Sequence, residues 1–352
     1  MRNPFTWLLL ALFSLGLTLG TQAGGGTYTL SSPAMTSAGV FASDGSLVRT
    51  LWSGVARAAG THPVEWDGAD ELGVPFTNTV TAKVLAHNVG WVWEGVIGNT
   101  SRNRTGPDKL RSFEAMWGVG FAPGGAGFAA VGYNEQQFPM FRFHQNDFQA
   151  RLPVGRDDYQ RSFSLVAVDS NRVYFANTGS GFNATNFVIA FDHSASNLPQ
   201  HLFTAGVVEA PEVAGQRWES VIDRGTSRIT GLAVQGNGAL LFIAHREDNL
   251  VKVFDKQSGV QTAQIAVDAP EALAASPAGD LWVVCRVNGL PVVRRFVVFA
   301  SVWFPVLTIS SLEVPLAVTT SPDGGTVVVA DGGGRQQLRA FSTAGQPLWT
   351  LG

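Results

Sequence analysis

The sequence predicts an all-β protein: a small β-sandwich followed by a β-propeller of about five visible four-stranded blades, in a ring either closed or incomplete. Three observations carry that reading. Four short apolar runs separated by turn chemistry fill Ile229–Val267 (ITGLAV, ALLFIA, LVKVFD, VQTAQIAV), and the same grammar returns at Pro270–Leu312 and Pro315–Gly352. The turn glycines Gly238, Gly279 and Gly324 lie about 41 and 45 residues apart, the period of a four-stranded blade. The composition, 45% hydrophobic and only 14% charged with 40 glycines and 17 prolines, suits many short strands joined by tight turns.

The chain begins with the pattern of a secretory signal. Arg2 precedes an apolar run from Trp7 to Leu19, and Thr21-Gln22-Ala23 supplies a small-residue cleavage site. The run has about 13 residues where a membrane span needs about 20. Residues 1–23 are therefore expected to be removed after Ala23, placing the mature chain outside the cytoplasm, at the cell surface or in the periplasm. No membrane span is expected after cleavage; the later run Val292–Ile309 is broken by Arg294, Arg295 and Pro305. Cys285, the single cysteine, excludes an intramolecular disulfide and alternates with Val284 as a small buried hydrophobe.

Residues 24–89 read as the sandwich. Extended segments are expected at Thr27–Leu30, Ala38–Ala42, Leu47–Trp52, Thr61–Trp66 and Thr79–Ala86, with an Asp44-Gly45 hairpin turn. Asp67, Asp70 and Glu71 invite a calcium reading, but they lack the alternating ligand spacing of such a loop. Asx-type turns with Trp66 packed inward account better for them, so no metal is expected. The order V-F-A-S-D-G-S-L-V-R-T-L-W-S-G, then W-D-G-A-D-E-L-G, resembles the FlgD-type Ig-like domain of flagellar hook-capping proteins. Trp66, Asp67, Gly68, Asp70 and Gly73 match its loop; Val80, Thr81 and Ala82 stand where that family carries an aromatic.

Residues 90–114 are expected to form a linker or a closing strand at Trp91–Ile97. Sequons at Asn99, Asn103 and Asn183 carry no expectation of glycosylation. Propeller repeats are expected over 115–352, with two less regular units at Ala115–Leu152 and Phe163–Phe203. In the second, QHLF is read as the outer strand, and Thr204–Arg228 as an insertion. The pattern of apolar strand, S-P-x-G turn, then L-W-V-V or V-V-V-A-D resembles NHL-like propellers, a likeness that implies fold alone. Five units are few for such a ring, and the chain stops directly after a strand. A closing strand from Trp91–Ile97, a closed five-blade ring and a fragment of a longer protein all account for this; the fragment is favoured.

In a propeller, the loops joining second to third strands and those joining blades lie at one end. That groups Tyr133, Asn134, Glu135, Asn177, Trp218, His245, Arg246, Glu247, Asp248, Arg286 and Asp331 as a candidate ligand-binding face. A net charge of −3, with lysine only at Lys83, Lys109, Lys252 and Lys256, argues against nucleic acid. The six histidines show no metal-ligand spacing, and neither a nucleophile elbow nor a phosphate loop is present. No catalytic residue and no cofactor is expected; a quinone site is disfavoured because Trp349 has no counterpart near Gln264. The reading is an exported, non-enzymatic binding or scaffold protein that recognises a protein or glycan. The alternative is a propeller hydrolase or lyase acting on carbohydrate or lactone substrates, with Glu135 and Glu247 as a carboxylate pair.

Overall fold

A computed structural model of the protein describes residues 13–19, 24–88, 116–134, 138–156, 161–179, 185–209 and 217–352. Among these, all regular structure is antiparallel strand, and no helix is long and apolar enough to cross a membrane. The expected Trp91–Ile97 strand and the three sequons lie outside the described residues. The chain divides into two compact units, Met1–Trp93 and Glu94–Gly352.

The first unit contains β1 (Phe13–Leu19), β2 (Gly24–Leu30), β3 (Ala34–Ala42), β4 (Leu47–Arg57), β5 (Gly60–Trp66) and β6 (Val80–His87). They form a four-stranded sheet in the order β1-β6-β3-β4 and a two-stranded sheet β2-β5. Alternation explains the packing, because inward positions on both sheets are apolar. Tyr28, Leu30, Val64 and Trp66 from the small sheet share one core with Val40, Val48, Val80, Ala82 and Val84 from the large one. At the β3–β4 hairpin, Ser46 N–H donates to Asp44 Oδ1 at 2.9 Å, and Gly45 has φ +84°, a left-handed conformation that glycine adopts without steric cost.

The loop after β5 uses its carboxylates on backbone. Asp67 accepts from Ala69 N–H (3.1 Å), and Asp70 from the N–H groups of Leu72 and Val74 (2.9 Å each). Trp66 Nε1 donates to Ala69 O. Glu71 accepts from Thr50 N–H at 2.6 Å, and hydrogen bonds from Thr50 hold its carboxyl below the usual glutamate range.

The second unit repeats one plan, an antiparallel four-stranded meander. The first sheet comprises β7 (Gly118–Phe121), β8 (Ala126–Ala130), β10 (Met140–His144) and β11 (Asp147–Pro153), while the short β9 (Gly132–Tyr133) joins the next sheet. That second sheet runs β12 (Ser162–Val168), β13 (Arg172–Thr178), β14 (Asn186–Asp192), then β16 (Trp218–Gly225), with β15 (Val207–Glu209) outermost. The third has β17 (Ile229–Val234), β18 (Leu240–His245), β19 (Leu250–Asp255) and β20 (Gln261–Ala266). The fourth has β21 (Leu273–Ala275), β22 (Leu281–Val287), β23 (Leu290–Phe299) and β24 (Val302–Ile309). The last has β25 (Pro315–Thr320), β26 (Thr326–Asp331), β27 (Gln337–Ser342) and β28 (Pro347–Leu351).

Apolar clusters alternate with these sheets. Phe128 and Met140 pack on Phe163, Phe175 and Phe187; Tyr174 and Val188 on Leu241 and Ile243; Phe242 and Ala244 on Leu281, Val283 and Cys285; Trp282 and Val284 on Val327, Val329 and Phe341. Each such large side chain contributes about 1.5–3 kcal/mol of burial, so sheet-on-sheet packing holds the unit without a disulfide. Cys285 is buried, and that burial pushes its thiol up to about 12.

One expectation fails in the second sheet. Gln200–Phe203 does not form the outer strand: Gln200 makes a single bridge to Phe191, and β16 from the supposed insertion pairs with β14 instead. Leu198 adopts φ +43° just before Pro199, whose missing N–H removes a ladder donor. His201 and Phe203 are nevertheless buried, so the apolar content that reads as a strand packs as a turn.

Candidate binding face

Register fixes which loops share an end of each sheet. The start of an inner strand lies opposite the end of the second strand: Phe163 faces Asn177, Ile229 faces His245, and Pro315 faces Asp331. A β-bulge follows each of these pairs, at Phe163/Leu165, Ile229/Gly231 and Pro315/Ala317. Asn177, His245 and Asp331 are therefore the same position of the repeat. Loops entering the inner strands and loops leaving the second strands emerge together there.

All three residues at this position are buried, and apart from His245 Nδ1, which has no partner, their polar atoms serve the fold. Asn177 Oδ1 accepts from Ser162 N–H at 2.8 Å, and its amide donates to Thr185 O. Asp331 Oδ1 accepts from the N–H groups of Glu313 and Val314, 2.9 Å each, and its Oδ2 lies 3.2 Å from Arg339 Nη1. His245 Nε2 lies 2.6 Å from Asp223 Oδ2, whose other oxygen takes Lys252 Nζ at 2.6 Å. Asn177 and Asp331 pin the chain entering their inner strands, and His245 ties β18 to Asp223 of β16.

The remaining candidates divide by exposure. Arg246, Glu247 and Asp248 are exposed in the β18–β19 turn, and Arg286 and Tyr133 are half-buried. Arg246 Nη1 pairs with Glu271 Oε1 at 3.0 Å, and Arg286 Nη1 donates to Gly289 O. Asn134 is buried and donates to Phe138 O at 3.0 Å. Trp218, expected on a surface insertion, is the first residue of β16 and is fully buried. Its indole meets Phe163 and Phe191 edge-on, and the Arg156 guanidinium lies 4.7 Å from its ring centroid. Glu135 lies outside the described residues, and so does any pairing of it with Glu247.

Sequence reasoning missed Asn249 and Thr230. Asn249 adopts φ +55°, a conformation asparagine tolerates better than most side chains, and its Oδ1 accepts from Ala269 N–H at 2.8 Å. Thr230, the bulged residue of β17, donates to Pro270 O at 2.8 Å. An asparagine closing a charged turn is a legible signal for the first; nothing local marks the second.

The inner strands line a central channel of about 1140 Å³, to which β7, β12, β17, β21 and β25 all contribute. Its wall mixes small residues such as Gly118, Gly231 and Ala274 with larger apolar ones such as Trp117 and Leu232 and hydroxyls such as Ser164 and Thr319; Arg228, Arg246 and Glu271 supply its charge. Glycine permits the close approach of inner strands: a Cβ on Gly231 would lie 2.0 Å from Glu271 O, and one on Gly118 would lie 2.7 Å from Ser164 O. Among the described residues, no group of three or more His, Cys, Asp or Glu side chains is placed to hold a metal ion.

No family model matches the chain, and no curated protein matches it. Solved structures to which it is similar include a functionally unknown protein from Desulfotomaculum acetoxidans (TM-score 0.47, 14% identity, 68% of this chain and 73% of that one). The WD40 repeats of RRP9 align with TM-score 0.46 and 13% identity, over 69% of this chain and 64% of that one. The β-propeller domain of Myceliophteria thermophila Cps50 (Swd1) gives 0.44 and 12%, over 69% and 75%. These neighbours are propeller-like; at such scores they carry no argument about activity, and the description of this chain rests on its own strand order and register.

Proposed function

We propose that this protein is an exported, non-enzymatic binding scaffold: an Ig-like sandwich carrying a five-bladed propeller segment that recognises a protein or glycan. The observation that carries the reading is the end of the second unit where Arg246, Glu247 and Asp248 stand exposed. The bases of these loops are held by buried His245, half-buried Thr230 and exposed Asn249. A rigid base under exposed polar loops is the arrangement that lets a repeat scaffold present a binding surface at low ordering cost. Export rests on the signal pattern of residues 1–23. The test is binding of the purified protein to immobilised glycan and peptide arrays. Saturable binding that is lost on Arg246→Glu with Asp248→Lys supports the proposal, and turnover of an array ligand without retention overturns it.

A further inference from the structure

We propose that the central channel of the second unit binds an amphipathic monocarboxylate, held at its head by Arg228 and along its body by β7. Arg228 immediately precedes β17, lines the channel and is exposed. Its guanidinium has no hydrogen bond or ion pair among the described residues. Glu271, the one acid lining the channel among those residues, is already answered by Arg246 at 3.0 Å. The lining therefore carries one unmatched positive charge, which calls for a singly charged anion. An uncommitted guanidinium offers its fork to both oxygens of a carboxylate.

The body of the ligand follows from a second observation. Gly118 and Gly120 of β7 lie against β12: a Cβ on Gly118 would meet Ser164 O at 2.7 Å, and one on Gly120 would meet Val168 Cγ2 at 2.6 Å. Alternation turns Trp117, Val119 and Phe121 to the other side of the strand. These three line the channel and are 61%, 46% and 48% exposed, whereas Leu232, Leu273 and Val318 on other inner strands are 8% exposed or less. Leu316 of β25 adds a fourth exposed apolar wall residue, and Phe143 meets the Phe121 ring edge-on. Four residue steps from Trp117 to Phe121 span about 13 Å. Trp117 and Arg228 each precede an inner strand, so the row starts at the mouth that holds the unmatched charge. A hydrocarbon chain with its carboxylate at that mouth takes the row out of water, and a mostly apolar wall with one placed charge is how small-molecule sites fix orientation. The site goes beyond the loop recognition proposed above, because it lies inside the channel and takes a small molecule.

The test is calorimetric titration of the full chain with sodium decanoate below its micelle concentration, against sodium acetate and decyltrimethylammonium chloride at matched ionic strength. One saturable decanoate site is expected, with acetate and the cationic amphiphile each at least about tenfold weaker. Arg228→Gln is expected to weaken decanoate about tenfold or more at an unchanged melting temperature, since Arg228 has no hydrogen bond or ion pair to lose. Val119→Asp, at an exposed position of the apolar row, is the second variant; its carboxylate is expected to weaken decanoate and spare decyltrimethylammonium. Absence of saturation, equal affinity for the cationic amphiphile, a stoichiometry well above one, or parent-like affinity in Arg228→Gln would each overturn the proposal.

Discussion

His245 and Asp223 are joined by a 2.6 Å contact between side chains that are each less than 5% exposed, and Lys252 closes on the other oxygen of Asp223 at the same distance. Asp223 belongs to the second sheet and the other two to the third, so this polar cluster ties neighbouring sheets at the end that carries the exposed loops. Removing the shared carboxylate leaves Lys252 and His245 without it in a buried setting. Asp223→Ala is expected to destabilise the protein by about 3–5 kcal/mol, read as a lower urea midpoint at unchanged m-value.

Asp169 gives a pH dependence with a definite sign. Burial raises its carboxyl, but Lys256 Nζ at 2.8 Å and the N–H groups of Asn171 and Arg172 more than offset this, holding it below the ordinary 3.8. A carboxyl whose folded value is depressed contributes stability that is present above its unfolded value and lost as pH falls through the folded one. Urea midpoints are expected to fall as pH drops below about 4, and to fall less steeply in Asp169→Asn.

Gly231 tests the spacing of the inner strands. An added methyl meets Glu271 O at 2.0 Å, whereas Gly225 has nothing within 4 Å of the same position. Gly231→Ala is expected to cost about 1–3 kcal/mol through overpacking. Gly225→Ala is expected to stay within about 0.5 kcal/mol of the parent, so thermal melts of the two variants form one experiment.

Cys285 is expected to be inert toward a thiol reagent in the native protein at pH 8. Its thiol is buried and raised to about 12, and the thiolate is the reactive form. Denaturation is expected to release one equivalent, the single cysteine of the chain.

Much of this architecture is legible from turns and alternation. Asp44-Gly45 marks its hairpin, and Gly279 and Gly324 mark recurring turns with φ of +94° and +73°. The site is less legible, for a physical reason. Asn177, His245 and Asp331 end strands and read as exposed loop polarity. Asn177 and Asp331 accept from backbone N–H groups 15 to 18 residues earlier, and His245 meets the Asp223 carboxylate 22 residues earlier, so burial is decided by partners that no local pattern names. Trp218 misled in the same way, since its place in β16 depends on pairing with β14 across a long connection. Arg246, Glu247 and Asp248 have no such distant backbone donors among the described residues, and their exposure matches the local reading.

The proposed removal of residues 1–23 has a structural consequence. Phe13–Leu19 pairs with Val80–His87 from Phe13↔Ala86 to Leu19↔Val80. Cleavage after Ala23 takes that strand away and leaves β6 as an edge. Intact mass of the exported protein is expected to place its first residue at Gly24, and retention of residue 13 would refute cleavage there.

The central claim is that ligand is bound at the end bearing the β18–β19 turn. Its most direct test is titration calorimetry of an array-identified ligand against three proteins: the parent, Arg246→Glu with Asp248→Lys, and Asp323→Lys at the opposite end of its sheet. The account predicts at least about tenfold weaker binding in the double variant, with unchanged melting temperature, and parent-like affinity for Asp323→Lys. Parent-like affinity in the double variant, or loss in Asp323→Lys, would contradict it.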